Sequence, residues 1–189
     1  MQTVTSARTA TPAIAFLGTG RMGGPMAANL ARAGFVVRAW DRTASRAAAL
    51  IKDGATVAAS PAQAVKGAGI LITMLADGPA TEQALRGPDG GLDLAPGLIW
   101  IQMATVGTEW TQRFVNTATR YQLSFFDAPV SGSQGPAQAG ELTILASGPG
   151  WLREKVDRRA PRHTFIQTRY GVGYRLEPVA KPVAAAAGR

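Results

Sequence analysis

A glycine-rich turn near the start of the chain most constrains what this sequence can fold into. Gly18-Thr19-Gly20-Arg21-Met22-Gly23 follows the apolar run 13–17 and opens the amphipathic stretch 22–33. A short, continuously apolar run is typical of a buried strand, and apolar residues at helical spacing predict a helix. The sequence therefore predicts a strand, a tight turn and a helix in immediate succession.

Each of the three glycines in this turn has a separate physical use. Gly18 permits the tight turn, Gly20 lets a pyrophosphate approach the backbone, and Gly23 lets the helix pack close to the strand. The helix N-terminus offers free N–H groups and a partial positive charge to a phosphate. In this position the motif predicts dinucleotide binding. The alternative is a turn without a ligand, since the chain has 22 glycines.

Two residues of opposite charge follow the second predicted strand, 35–40. Asp41 lies where an acid accepts a hydrogen bond from the adenosine ribose of NAD and repels the 2′-phosphate of NADP. Arg42, the next residue, has the charge to neutralise that phosphate. The choice between NAD and NADP stays open, with NAD preferred.

Strands and helices alternate along residues 13–149. The predicted strands are 13–17, 35–40, 55–58, 70–75, 98–101, 124–127 and 142–146. The predicted helices are 22–33, 44–53, 79–85 and 108–121, with one more that begins at Ser60-Pro61. Repeated alternation of this kind predicts an α/β fold with a doubly wound, mostly parallel Rossmann-type sheet.

The two ends of the chain differ in composition from this middle part. Residues 1–12 are small and polar and lack the apolar core of a signal peptide, so they predict a disordered leader. The net charge is +8, and most of it lies after residue 149, where the alternation stops. Residues 150–177 predict a short basic appendage, and residues 178–189 predict a disordered tail.

Composition excludes several kinds of site. The chain has no cysteine and a single histidine, His163, so disulfides, thiolate metal sites and histidine-rich metal sites are excluded. No apolar run is long enough to span a bilayer. We expect a cytoplasmic protein with no metal and no membrane attachment, and the oligomeric state stays open.

Three separated segments carry a family resemblance. They read IAFLGTGRMGGPMAANLARAGFVVRAWD at 14–41, FDAPVSG at 126–132 and GELTI at 140–144. Together they resemble the 3-hydroxyisobutyrate dehydrogenase family of β-hydroxyacid dehydrogenases, which is related to 6-phosphogluconate dehydrogenase. The resemblance covers residues 13–149. It implies hydride transfer between a nicotinamide cofactor and a small 3-hydroxyacid or semialdehyde.

The resemblance also implies roles for individual residues. The turn from Gly18 to Met22 would hold the pyrophosphate. Met74 and Leu75, at the end of the fourth predicted strand, would line the ribose, and Thr105 would lie near the nicotinamide. The alternative for Met74 and Leu75 is that they are ordinary core residues.

For the substrate, the resemblance implies a binding loop at Ser131 and Gly132. Hydroxyl and N–H donors are what a carboxylate needs. The alternative for Ser131 is a turn residue without a ligand. The expected partner is therefore a small-molecule carboxylate.

The sequence departs from the family pattern at three places. Gln102-Met103-Ala104-Thr105 replaces the family's Asp-Met-Ser-Thr, and Ser133 replaces the second glycine of its Ser-Gly-Gly. The family's helical C-terminal domain and its GxGxxxKxxNN motif are not found, so the catalytic residue stays unknown. Lys181 lies at nearly the expected distance, but Pro178 and Pro182 beside it disfavour a helix interior.

The basic segment after residue 150 resembles the end of the winged-helix DNA-binding domain of response regulators. The resemblance depends on RYGVGY at 169–174, in which Gly-Val-Gly predicts a hairpin tip or strand bend. Most of a recognition helix is missing, and charge alone gives weak, salt-sensitive binding. We therefore expect a fused fragment rather than a nucleic-acid-binding domain.

Two functions stay open at this point. The first is an NAD(P)-binding oxidoreductase domain of the 3-hydroxyacid dehydrogenase type, shortened and without the catalytic lysine domain. Hydride transfer by this chain alone should then be weak. The second is a catalytically inactive dinucleotide-binding module with a weak nucleic-acid-binding tail. The glycine turn and Asp41 fit both functions, whereas the loop at Ser131 favours the first.

Overall fold

A six-stranded parallel sheet forms the centre of the chain in a computed structural model. The structure describes residues 12–92 and 97–148, and the backbone of two strands at 163–169 and 173–180. The sheet strands are β1 (Ile14–Leu17), β2 (Val37–Trp40), β3 (Thr56–Val57), β4 (Ile70–Thr73), β5 (Ile99–Gln102) and β6 (Ser124–Asp127). Their order is β3-β2-β1-β4-β5-β6, and all neighbours are parallel. This doubly wound order confirms the predicted fold.

Helices connect these strands. They are α1 (Gly23–Arg32), α2 (Ala44–Ala48), α3 (Pro61–Val65), α4 (Gly78–Arg86) and α5 (Thr108–Arg120). The single helix predicted over 44–53 is wrong in its second half, because a 3-10 turn (Ile51–Asp53) replaces the α-helix there. The tighter turn keeps Leu50 in the core, at 5% exposure.

The central strand β1 contributes to a core on each face of the sheet. Ala15 and Leu17 pack in one cluster with residues of α3, α4 and α5. Ile14 and Phe16 pack in the other, with residues of α1 and α2. Because successive side chains of a strand point to opposite faces, a strand covered on both sides needs an uninterrupted apolar run. This explains the sequence AIAFL before the glycine turn.

The start of α3 confirms the predicted helix signal. Ser60 precedes the helix, and its side-chain oxygen accepts the N–H of Gln63 at 3.1 Å. Pro61 is the first helical residue, where its missing N–H costs no hydrogen bond. Asp77 caps α4 in the same way, accepting the N–H of Ala80 at 2.8 Å.

A second, antiparallel sheet follows β6. It contains β7 (Val130–Ser131), β8 (Thr143–Ile144), β9 (His163–Arg169) and β10 (Gly173–Ala180), in the order β7-β8-β10-β9, with α6 (Gln134–Ala139) between β7 and β8. β9 and β10 are antiparallel neighbours on either side of residues 170–172, as the Gly-Val-Gly sequence predicts. Leu176 of β10 pairs with Ile144 of β8. β10 continues through Ala180, past residue 178, where the sequence predicts a disordered tail.

Some sequence predictions fall outside what the structure describes. These are the leader before Pro12, residues 150–162 of the basic appendage, and Lys181. Within the described part of the chain, no helix has the length and apolar character needed to cross a bilayer. The same residues form no cluster of three or more potential metal ligands of the His, Cys, Asp or Glu type.

Candidate cofactor-binding site

A cleft of about 830 Å³ opens at the carboxyl ends of β1, β2, β3 and β4. It lies where the strand order reverses on either side of β1, which is where doubly wound sheets bind ligands. The predicted cofactor residues that line it are Gly18, Gly20, Arg21, Met22, Gly23, Asp41, Arg42, Met74 and Leu75. Thr19 and Thr105 are not among the lining residues. The fold therefore brings most of the predicted cofactor residues, from three separate segments, to one surface.

The three glycines of the turn occupy three different environments. Gly18 has a φ of +96°, and a Cβ there would lie 2.4 Å from the carbonyl oxygen of Met74. A Cβ on Gly23 would lie 1.9 Å from the carbonyl oxygen of Gly18. A Cβ on Gly20 would meet nothing within 4 Å. The protein itself thus requires Gly18 and Gly23, whereas the space over Gly20 is open to a ligand.

Asp41 connects the glycine turn to the end of β2. One of its carboxylate oxygens, Oδ2, accepts the backbone N–H of Thr19 at 2.8 Å. The other, Oδ1, accepts the N–H of Thr43 at 2.8 Å. Thr19 is buried at 4% exposure, so it lies behind the turn and not on the cleft surface. The sequence predicts that Thr19 helps to hold the pyrophosphate, but its backbone N–H already donates to Asp41.

Three exposed arginines line the cleft, of which only two are predicted from the sequence. Arg21 and Arg42 were predicted, and Arg46 in α2 is additional. The Nη1 atom of Arg46 lies 3.9 Å from Oδ1 of Asp41. Arg46 lies five residues after Asp41, in the first turn of the helix that follows β2, and this closeness in sequence is a signal that could have identified it. The end of the cleft beside Asp41 therefore holds one carboxylate and two guanidinium groups.

An apolar wall also lines the cleft, and no sequence motif predicts it. The residues that form it are Val57, Ala58, Pro61, Ala80 and Ala84. Gln83 also lines the cleft there and supplies a polar amide. Small apolar side chains leave room for a planar aromatic ring, and an amide provides both a donor and an acceptor for it.

The predicted nicotinamide and substrate residues lie at the same edge of the sheet, beside the cleft. Thr105 follows β5, and Ser131 and Gly132 lie at the end of β7; all three are exposed. The chain between β6 and β7 crosses the end of β5. There the N–H of Ala128 donates to the backbone carbonyl oxygen of Gln102 at 2.7 Å, and the N–H of Val130 donates to that of Met103 at 3.3 Å. These bonds bring the two loops to one edge of the sheet.

Asp127, at the end of β6, is the one carboxylate in the described residues with a clearly shifted pKa. Partial burial raises the pKa above its usual value of 3.8, and a hydrogen bond from the hydroxyl of Thr111 (Oγ1–Oδ2 distance 3.5 Å) opposes the shift. A raised folded-state pKa means that the folded chain binds the proton more tightly than the unfolded chain. The stability that this provides is complete below pH 3.8 and is lost as pH rises through the folded pKa.

We therefore expect Asp127→Asn to stabilise the chain at pH 7 and to lose that advantage as the pH falls towards 4. The neutral amide avoids the cost of a half-buried charge. Urea unfolding at both pH values measures the difference. Glu141→Gln, which neutralises an exposed carboxylate, is the control. A stability difference for Asp127→Asn that is the same at both pH values would contradict this account.

Comparison with known proteins agrees with this geometry. The model of the NAD binding domain of 6-phosphogluconate dehydrogenase matches residues 13–158, which extends past residue 149, the predicted domain boundary. The 3-hydroxyisobutyrate dehydrogenase of Pseudomonas aeruginosa is 38% identical over 164 residues, covering 85% of this chain and 55% of the relative. The 3-sulfolactaldehyde reductase of Escherichia coli is 37% identical over 150 residues, covering 79% and 49%.

A solved structure shows the same fold. It is the 3-hydroxyisobutyrate dehydrogenase of Mycobacterium tuberculosis with L-serine, which superposes with a TM-score of 0.71 at 33% identity. The match covers 80% of this chain and 50% of that structure. The chain thus spans about half the length of the relatives it matches. By its sheet order, its glycine turn and the match over residues 13–158, the chain belongs to the family of the NAD binding domain of 6-phosphogluconate dehydrogenase.

Proposed function

We propose that this chain provides the cofactor site of an oxidoreductase that transfers hydride between a nicotinamide and a small 3-hydroxyacid or semialdehyde. The observation that carries the proposal is the cleft at the strand reversal, with open space over Gly20 and the N-terminus of α1 beside it. A pyrophosphate needs both features. The names of two relatives, 3-hydroxyisobutyrate dehydrogenase and 3-sulfolactaldehyde reductase, support the substrate class. Each of these substrates carries an anionic group beside an alcohol or aldehyde.

The residues of the cleft fit the separate parts of a dinucleotide. The N–H groups at the start of α1 would bind the pyrophosphate over Gly20, and Asp41 would accept from the adenosine ribose. Oδ2 of Asp41 accepts both the N–H and the hydroxyl of Thr19, whereas Oδ1 accepts only the N–H of Thr43 and retains a second lone pair for a ribose hydroxyl. The wall that contains Val57 and Ala80 would hold the adenine. When bound, the nicotinamide supplies or accepts the hydride.

At the other end of the cofactor, Ser131 and Gly132 would hold the anionic group of the substrate. A hydroxyl and a backbone N–H are suitable donors for a carboxylate or a sulfonate. Both residues are exposed at the end of β7, on the edge of the sheet where Thr105 also lies. The reacting carbon would then lie between this loop and the nicotinamide.

The test is ternary binding, read from the fluorescence of bound NADH. We expect 3-hydroxyisobutyrate to change the NADH signal and its methyl ester to have little effect. Ser131→Ala should weaken only the response to the acid. The ester removes the negative charge and retains the alcohol. No NADH binding would refute the proposal. NADH binding without a response to any 3-hydroxyacid would support the inactive dinucleotide-binding module instead.

Within this proposal we prefer NAD to NADP. The carboxylate of Asp41 lies at the ribose position, where a 2′-phosphate would be repelled, and Arg46 offsets part of that charge from 3.9 Å. Any affinity for NADP would then depend on the exposed guanidinium groups of Arg42 and Arg46.

The double variant Arg42→Ala/Arg46→Ala should weaken NADPH binding about ten-fold or more and leave NADH binding nearly unchanged. The reason is that only NADPH carries the phosphate that pairs with these side chains. Titration of both reduced cofactors measures the ratio, and Arg113→Ala, an exposed arginine outside the cleft, is the matched control. An equal loss for the two cofactors would show that neither arginine contacts the 2′-phosphate.

A further inference from the structure

A chain of buried polar side chains joins the ends of β4 and β5. The indole Nε1–H of Trp100 donates to the hydroxyl oxygen of Thr73 at 3.0 Å. That hydroxyl donates to Oε1 of Gln102 at 2.9 Å, and Nε2 of Gln102 donates to the carbonyl oxygen of Ala104 at 2.7 Å. Trp100, Thr73 and Gln102 are all 0% exposed. Because no water reaches them, these groups depend on one another for their hydrogen bonds.

The network fixes the orientation of the Gln102 amide. An indole nitrogen can only donate, so the hydroxyl of Thr73 accepts from Trp100 and gives its own hydrogen to Gln102. The amide oxygen of Gln102 therefore faces Thr73, and its nitrogen faces the carbonyl of Ala104. A side chain at position 102 must accept on one side and donate on the other. A glutamine does both without carrying a charge.

The orientation of Gln102 determines the direction of the next peptide group. Its bond to the carbonyl oxygen of Ala104 holds that oxygen towards the core. The peptide bonds of the described residues are all trans, and in a trans peptide the C=O and N–H point in opposite directions. The N–H of Thr105 therefore points away from the core. Thr105 is exposed, and the part of the chain that the structure describes offers no acceptor for this N–H.

We propose that Gln102 is a positioning residue that aims the N–H of Thr105 at the carboxamide oxygen of the bound nicotinamide. This inference rests on the proposed function. With the pyrophosphate at α1 and the adenosine beside Asp41 over β2, the nicotinamide half extends over the other side of β1, towards β4 and β5. Thr73, the register partner of Gln102, directly precedes Met74 and Leu75, which line the cleft. Thr105 thus follows β5, the strand next to the one that ends at these two lining residues.

The test separates the two halves of the cofactor by comparing NADH with ADP-ribose, which lacks the nicotinamide. Gln102→Met keeps the length of the side chain and removes both polar atoms. It should weaken NADH binding about five-fold, the effect of one misplaced hydrogen bond, and leave ADP-ribose binding unchanged. An equal change for both ligands, or no change for either, would overturn the inference. If the parent chain binds neither ligand, the proposed function itself is wrong.

Gln102→Glu provides a second readout that a merely structural role would not give. A protonated carboxylic acid can accept from Thr73 and donate to Ala104 as the amide does, whereas a carboxylate cannot donate. Burial favours the protonated form. The ratio of NADH affinity to ADP-ribose affinity is measured for this variant and for the parent at each pH. The ratio of the variant should therefore recover towards that of the parent as pH falls from 8.5 to 6. A ratio that does not change with pH would overturn the inference. This second test can be made even if Gln102→Met does not fold.

Discussion

Gly20→Val should abolish dinucleotide binding and leave the fold intact. A Cβ at this position would meet nothing within 4 Å, so the folded protein has room for the added carbons. In the proposed site, the pyrophosphate would occupy that room. Losing two charge-assisted hydrogen bonds to the phosphates would weaken binding about 100-fold or more. NADH fluorescence titration measures the affinity, and thermal unfolding measures the fold.

Ala33→Val is the control for this experiment. Ala33 is the exposed cap at the opposite end of α1, so the variant adds an apolar branch to the same helix outside the cleft. It should bind NADH like the parent. If Gly20→Val also bound NADH like the parent, the glycine turn would not be the pyrophosphate site. If Gly20→Val lost stability, the space over Gly20 would be needed by the protein and not by a ligand.

Gly23→Ala should have the opposite profile, with a large loss of stability. The added Cβ would lie 1.9 Å from the carbonyl oxygen of Gly18 and 3.2 Å from the ring of Phe16, so α1 must move away from β1. Overpacking at a rigid backbone contact costs about 3 kcal/mol, at the upper end of the usual range. Urea unfolding measures the loss. NADH binding should weaken as well, because the N-terminus of α1 shifts.

The neighbouring glycine is a matched control for that prediction. Gly24 lies in the same turn of α1, but a Cβ there would lie 3.2 Å from the carbonyl oxygen of Thr19, a contact that needs only a small adjustment. Alanine is also a better helix former than glycine, by about 1 kcal/mol. Gly24→Ala should therefore be within about 1 kcal/mol of the parent. Equal stability of the two alanine variants would contradict the close packing of α1 against the turn.

The six-stranded sheet could be predicted from the sequence because its signals are local and repeated. The apolar run 13–17, for example, is continuous since β1 is covered on both faces. In contrast, β7 and α6 were not predicted. β7 has two residues, and α6 contains a glycine and a proline, so neither has a strong local pattern. The position of α6 depends instead on distant contacts, such as the bond from Nδ2 of Asn29 to the carbonyl oxygen of Ala137 at 2.9 Å.

The candidate site was predicted in part for a similar reason. The glycine turn and Asp41 belong to one motif with a fixed spacing, whereas Val57 and Gln83 reach the cleft only through the packing of β3 and α4. Gln102 is a clearer example. In the sequence it is only the loss of a family acid, but in the structure its amide completes a buried hydrogen-bond network. The spacing of residues along the chain cannot show which polar groups meet in a core.

The two backbone N–H groups that donate to Asp41 have a consequence for the redesign of cofactor preference. The acid after the second strand is the obvious position to change, but here its removal leaves the buried N–H of Thr19 without an acceptor, at a cost of about 1–3 kcal/mol. Selectivity and folding would then change together. Arg42 and Arg46 are exposed and carry no such bonds to the glycine turn. A library that varies these two positions can explore the preference between NAD and NADP while the turn retains its support.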